Sequence, residues 1–336
     1  GLAKCGLVDT GLVSDLTGLQ GLDLSANTFT GSVPQFLLDL PQLQSLDLHY
    51  CGFTETVPTP TTLNTAFTYL NLARNALTGS IPDTITKVGG AVTIDLSGNS
   101  LEGSIPAAIT GLTQLQNLVL GSNKLSGDLF PIITQLTDLK KLDMSANQLS
   151  GSLPTILSLA TSLSHLDLSS NIFTGSLPLG YSRLSKLSTL ALSSNILSGS
   201  IPEPLIAALT NTPHLDLSHN QLSGSMPSSL SLLTKLTNLD LGFNRLSGTL
   251  VSSVSTLTAL KALSLSSNAF TGSVPAQVIA QIGNLQKLDL SYNQLTGTMP
   301  TEITALDAIT NLDLSHNDLV GLLPTSIGSI TTLKAL

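Results

Sequence analysis

Tryptophan is absent from the 336 residues, cysteine occurs only twice, and charged side chains make up 10% of the chain. Two cysteines cannot build a disulfide framework, and they leave the redox compartment open. The net charge of -8 removes the basic face that a phosphate backbone demands, so nucleic acid is not an expected partner. An anionic membrane surface is disfavoured for the same reason. No run of about 18 apolar residues occurs, so no membrane-spanning segment is expected. The opening GLAKCGLVDTGL has no basic segment ahead of an apolar core, and a secretory leader is not expected within it. There is no G-x-S-x-G elbow, no H-E-x-x-H and no phosphate loop. Catalysis, a metal and a cofactor are therefore not expected. N-x-S/T sequons are also missing, but each asparagine of the repeat described next is followed two positions later by Leu or Phe, so their absence says little about location.

What the chain does contain is one phrase written thirteen times, as in NLARNALTGSIP at 71–82. Aligned on one position, the copies read Asn27, Cys51, Asn75, Asn99, Asn123, Asn147, Asn171, Asn195, Asn220, Asn244, Asn268, Asn293 and Asn317. The step is 24 residues in ten of twelve intervals and 25 in the other two. Such a period overrides length as a guide and predicts a single repeat domain over 1–336, without complete terminal caps. Ahead of each aligned position stands L-x-x-L-x-L-x-x, with swaps such as Phe67, Ala91 and Ile94. Alternation in L-x-L sends both leucines inward on a short parallel strand and leaves the residue between them facing solvent. The asparagine amide then serves backbone groups that the turn leaves unpaired inside, and Cys51 fills one rung with a small thiol. Next comes L-T/S-G-S/T-I/L/V/M-P, whose glycine permits a geometry that side chains obstruct and whose proline stops the extended segment. Phe130 and Val251 replace the proline in two coils, and Glu55 replaces one glycine.

The phrase L-x-x-L-x-L-x-x-N-x-L-T/S-G-x-I-P resembles plant-type leucine-rich repeats, as in ectodomains of receptor kinases and receptor-like proteins and in polygalacturonase-inhibiting proteins. The resemblance spans residues 16–336. It implies an α/β repeat solenoid: a right-handed superhelix with a concave parallel β-sheet, a second short strand at L-T/S-G, and convex 3₁₀ or helical turns. It further implies an extracellular, non-enzymatic module that binds a protein, peptide or cell-wall glycan. Family members usually carry paired cysteines in terminal caps. Here Cys5 falls two coils before Cys51 by phase, about 10 Å along the stack, which is beyond the reach of a disulfide. The chain begins and ends in mid-repeat and reads as a mature product or part of something longer.

Recognition should lie in the variable strand positions. An acidic ladder at the mid-strand position, Asp23, Asp47, Asp95, Asp143, Asp167, Asp216, Asp240, Asp289 and Asp313, either attracts a basic ligand or calcium or is simply the L-D-L-S consensus satisfied by its serines. The five histidines, His49, His165, His214, His219 and His316, all fall on strand faces, too scattered for a tight metal site. The position just before the ladder residue reads Ala26, Tyr50, Arg74, Gly98, Ser122, Ala146, Ser170, Ser194, His219, Phe243, Ser267, Tyr292 and His316: large at both ends, small in the middle. Two candidate binding patches follow, Tyr50 with Tyr69 and Arg74, and His214 with His219, Phe243, Lys287, Tyr292 and His316. Aromatic residues beside Arg or His are common recognition anchors, although an aromatic on a strand also packs simply as a good strand former. Two alternatives stay open. The chain is a structural subunit docking through the ends of its solenoid, or its Ser/Thr rows, as at Thr78, Ser126, Ser150, Thr174 and Ser198, adsorb to ice or a polysaccharide surface.

Overall fold

The computed structural model describes residues 16–129, 135–250 and 252–335, so Cys5, Phe130 and Val251 lie outside the described residues. The chain divides into two compact units, Gly1–Asn171 and Ile172–Leu336. Both are α/β stacks of coils. In the first, parallel three-residue strands follow one another from Gly21–Asp23 through Ser45–Asp47, Tyr69–Asn71, Thr93–Asp95, Asn117–Val119 and Lys141–Asp143 to His165–Asp167. In the second they run from Thr189–Ala191 through His214–Asp216, Asn238–Asp240, Ala262–Ser264 and Lys287–Asp289 to Asn311–Asp313. Each strand pairs in register with the equivalent residues one coil on, so every repeat position becomes a straight row across the coils. The leucines of L-x-L are buried except in the end coils, where Leu22, Leu24 and Leu314 are partly exposed, and the substitutes Phe67, Ala91 and Ile94 are buried too.

The ladder asparagines hold the coils together as the spacing predicts. Asn147 donates to the carbonyls of Met144 and Ser145 in its own coil and of Leu120 in the coil before, and its Oδ1 accepts the Leu125 N–H. Cys51 takes over part of this work. Its thiol donates to Leu24 O at 3.0 Å and to His49 O at 3.5 Å, while the Phe29 N–H, lacking an amide oxygen, turns to the Cys51 carbonyl. Cys51 is a buried free cysteine, and burial pushes its thiol pKa up.

Second short strands form at the L-T/S-G segment: three from Glu102–Ser104 to Gln148–Ser150, and seven from Thr174–Ser176 to Asp318–Leu319. The glycine here has φ between 71° and 91° in every described coil that has one, which side chains tolerate poorly. Glu55 occupies the same turn at φ 66°. Beside the glycines of the second unit lie two hydroxyl rows, Thr174, Ser198, Ser223, Ser247, Thr271, Thr296 and Ser176, Ser200, Ser225, Thr249, Ser273, Thr298, the latter fully on the surface. In the first unit the corresponding row is interrupted by Glu102.

After the proline the back of most coils is a five-residue 3₁₀ turn, such as Ala107–Gly111 or Ser228–Leu232. The two 25-residue coils differ: Glu203–Ala208 and Ala276–Gln281 are six-residue α-helices. Six α-helical residues rise about 9 Å and five 3₁₀ residues about 10 Å, so the extra residue is absorbed by winding, and the strand on either side keeps its register. Among the described residues no helix is long and apolar enough to cross a membrane.

Candidate functional site

The row just before the ladder residue has a backbone peculiarity that its amino acids do not advertise. All twelve of its non-glycine residues adopt the left-handed conformation, with φ from 50° to 58°, and Gly98 joins them at 65°. The chain turns off the strand here, and the row's N–H groups bond to carbonyls one coil on, for example Tyr50 N to Ala73 O and Tyr292 N to Ser315 O. For a residue with a side chain this conformation costs about 1–2 kcal/mol, least readily borne by bulky groups. Glycine would sit there comfortably, yet the row carries Tyr50, Phe243 and Tyr292, exposed by 65, 51 and 56%. These rings are strained in backbone and poorly buried, so packing of the fold does not account for them.

In the second unit the row's large residues pair up. His219 stacks on Phe243 with centroids 4.2 Å apart and planes 9° from parallel, and Tyr292 stacks on His316 at 4.0 Å and 15°. Ser267 is the single small residue between the two pairs. His214 and Lys287 lie elsewhere, at the starts of their strands, both exposed. In the first unit Tyr50 and Arg74 occupy neighbouring row positions, and the Arg74 stem lies against Gly98, where a Cβ would come within 3.3 Å of Arg74 Cγ. Tyr69 does not share this role. It starts its strand half-buried, its hydroxyl donates to Asp47 Oδ2 at 3.3 Å and accepts from Asn71 Nδ2 at 3.2 Å, and burial raises its pKa.

The acidic ladder is largely built into the turn. In Asp95, Asp143, Asp167, Asp216 and Asp289, Oδ1 accepts both the N–H and the hydroxyl of the serine two residues on. Aspartates face each other across neighbouring strands in four pairs: Asp23 with Asp47, Asp143 with Asp167, Asp216 with Asp240, and Asp289 with Asp313. Every histidine of the chain stands in a coil belonging to one of these pairs, whereas Asp95, between Asn71 and Val119, has none. Like charges directly opposite destabilise a sheet. His49 Nδ1 lies 2.8 Å from Asp47 Oδ1. His165, whose pKa is lowered by burial and then by Lys141, brings a ring nitrogen within 4.8 Å of carboxylate oxygens of Asp143 and Asp167. The histidines are thus dispersed among acid pairs rather than gathered together. Asp240 is raised in pKa, by burial first and by Asp216 after that.

Comparison with known proteins adds the following. Two profiles described as leucine rich repeat match, one at residues 65–125 and 258–319, the other at 42–63, 138–159, 162–184, 213–233 and 235–257. No curated protein sequence matches the chain. Among solved structures, the ectodomain of the Arabidopsis receptor kinase HAESA, in complex with an extended IDA peptide hormone ligand, is 30% identical with a TM-score of 0.83 over 96% of this chain and 58% of that one. A leucine-rich-repeat protein of Leptospira interrogans is 32% identical, with a TM-score of 0.74 over 96% of this chain and 79% of its own. A plant ice-binding protein is 31% identical, with a TM-score of 0.59 over 73% of this chain and 78% of its own. The chain spans 44 to 63% of the plant receptor ectodomains it matches first.

Proposed function

The chain belongs to the leucine-rich-repeat family, and on that footing we propose that it is a non-enzymatic recognition module that binds an extended peptide across its strand face. The observation that carries this reading is the left-handed row, where exposed aromatic rings are kept at positions that glycine, alanine and serine fill elsewhere at lower strain. Aromatic side chains are enriched at the cores of interfaces, and here they stand exposed on a rigid platform of paired strands. The likeness to receptor ectodomains solved with peptide hormones supports a peptide rather than a glycan, and it supports an extracellular setting. The test is selection from a random peptide library on the immobilised protein, repeated with Phe243→Ala and Tyr292→Ala. Selected peptides should lose at least tenfold in affinity. Affinity unmoved by both changes, but abolished by changes in the terminal coils, would favour a docking subunit instead.

The hydroxyl rows of the second unit, together with the likeness to an ice-binding protein, favour a second reading, adsorption to ice. Thermal hysteresis in a freezing assay that disappears on Thr271→Tyr would support it, and absence of hysteresis at millimolar protein would dispose of it.

A further inference from the structure

Within the left-handed row each stacked pair leaves one aromatic face uncovered. Phe243 has His219 on the side of the preceding coil, and Tyr292 has His316 on the side of the following coil. Both open faces therefore look toward the coil between them, whose row residue is Ser267. With strands about 4.8 Å apart, Phe243 and Tyr292 stand two steps, about 10 Å, from one another, and a group midway is about 5 Å from each ring. That is inside the distance of about 6 Å at which a cation is attracted by a ring face. The same coil is small on its strand too. Ser264 separates Asp240 from Asp289 in register, so a carboxylate stands on each side of the notch.

We propose that this notch, walled by Phe243 with Asp240 and by Tyr292 with Asp289 and floored by Ser264 and Ser267, is a subsite for an arginine side chain of the ligand. A guanidinium is flat, so it lies between two near-parallel rings, and its N–H edges point to carboxylates on either side. The charges that oppose it are Lys287 and Arg245 at the margins. The subsite rests on the peptide-binding reading but is tested apart from it.

The probe is N-acetyl-arginine amide, titrated against the folded protein while the ring proton signals of Phe243 and Tyr292 are followed by NMR, with the uncharged isostere N-acetyl-citrulline amide as reference. The arginine compound should shift both rings saturably at neutral pH and bind at least tenfold more tightly than the citrulline compound. Ser267→Phe, which fills the notch with the residue already tolerated in this backbone geometry at Phe243, should abolish the shifts, and Asp240→Asn with Asp289→Asn should weaken them at least fivefold. Equal shifts from both compounds, or arginine binding that survives Ser267→Phe in a protein of unchanged melting temperature, would overturn the assignment. Library peptides that need Phe243 and Tyr292 but no arginine would remove the subsite alone. Arginine binding without any selected peptide would keep the subsite and remove the peptide reading.

Discussion

The imidazole of His316 lies flat on the ring of Tyr292, centroids 4.0 Å apart, although 24 positions separate the two residues in sequence. Only an in-register stack of coils brings them together. Each is held in a left-handed backbone by hydrogen bonds of the scaffold, so the stack is made of residues whose backbone strain the rest of the coil bears. On the peptide-binding reading, positions of that kind separate the demands of stability from those of binding.

Replacing Tyr292 by glycine should show the separation. Loss of a stacked ring costs about 0.5–1.5 kcal/mol, and relief of the left-handed strain returns about 1–2 kcal/mol. Urea denaturation should therefore show stability changed by no more than about 1 kcal/mol, while affinity for a selected peptide falls at least tenfold. A large drop in stability would make the ring a structural prop.

Glu55 offers the cleaner measure of backbone strain, because it stands at φ 66° where the other described coils use glycine. Glu55→Gly should stabilise the protein by about 1 kcal/mol in chemical denaturation. No gain would mean that the glutamate side chain makes up for its own backbone cost.

The ladder predicts an ordered series at one rung. Cys51→Ala removes the thiol that serves the Leu24 carbonyl and should destabilise by about 1–3 kcal/mol. Cys51→Asn should be neutral or stabilising by about 1 kcal/mol, since the amide also offers the Phe29 N–H an acceptor. Thermal melts of the two variants should rank Asn at or above the parent and Ala below it.

A carboxylate cap joins two coils on the helical side. Glu203 accepts the N–H groups of Ser228 and Ser229, each at 2.8 Å, and the Ser229 hydroxyl, followed by these N–H groups, holds its pKa at about 2 against an ordinary 4.5. A lowered carboxylate pKa contributes stability that is complete above the unfolded value and fades as pH falls through the folded one. Glu203→Gln should accordingly lower the melting temperature at pH 7, and the gap to the parent should narrow below pH 4.5 and close near pH 2. A gap that persists unchanged at pH 2 would mean that charge plays no part in the cap.

Much of the fold was legible because leucine, asparagine and glycine recur at fixed phase, and each recurrence has one physical reading. The left-handed row was not legible. Glycine, the residue that signals positive φ, appears in it only at Gly98, and Ser122 or Tyr50 gives no hint of the angle it adopts. Phe243 and Tyr292 stood out as large residues at strand edges, but pairing them with His219 and His316 required the register between coils. Tyr69 looked like a third exposed aromatic, and its hydrogen bonds to Asp47 and Asn71 could not be foreseen without knowing how far its hydroxyl reaches across the neighbouring strand. The two 25-residue intervals were visible as numbers, and the helices they produce were not.

Those two longer coils carry a lesson about where this architecture accepts change. An added residue after Pro202 or Pro275 is taken up by a switch from 3₁₀ to α winding, and the strand rows on the opposite side do not slip. The molecule thus has one side where length is free to drift and another where only side-chain identity can. Insertions that would scramble the register of a sheet in most folds are, here, silent edits to its reverse.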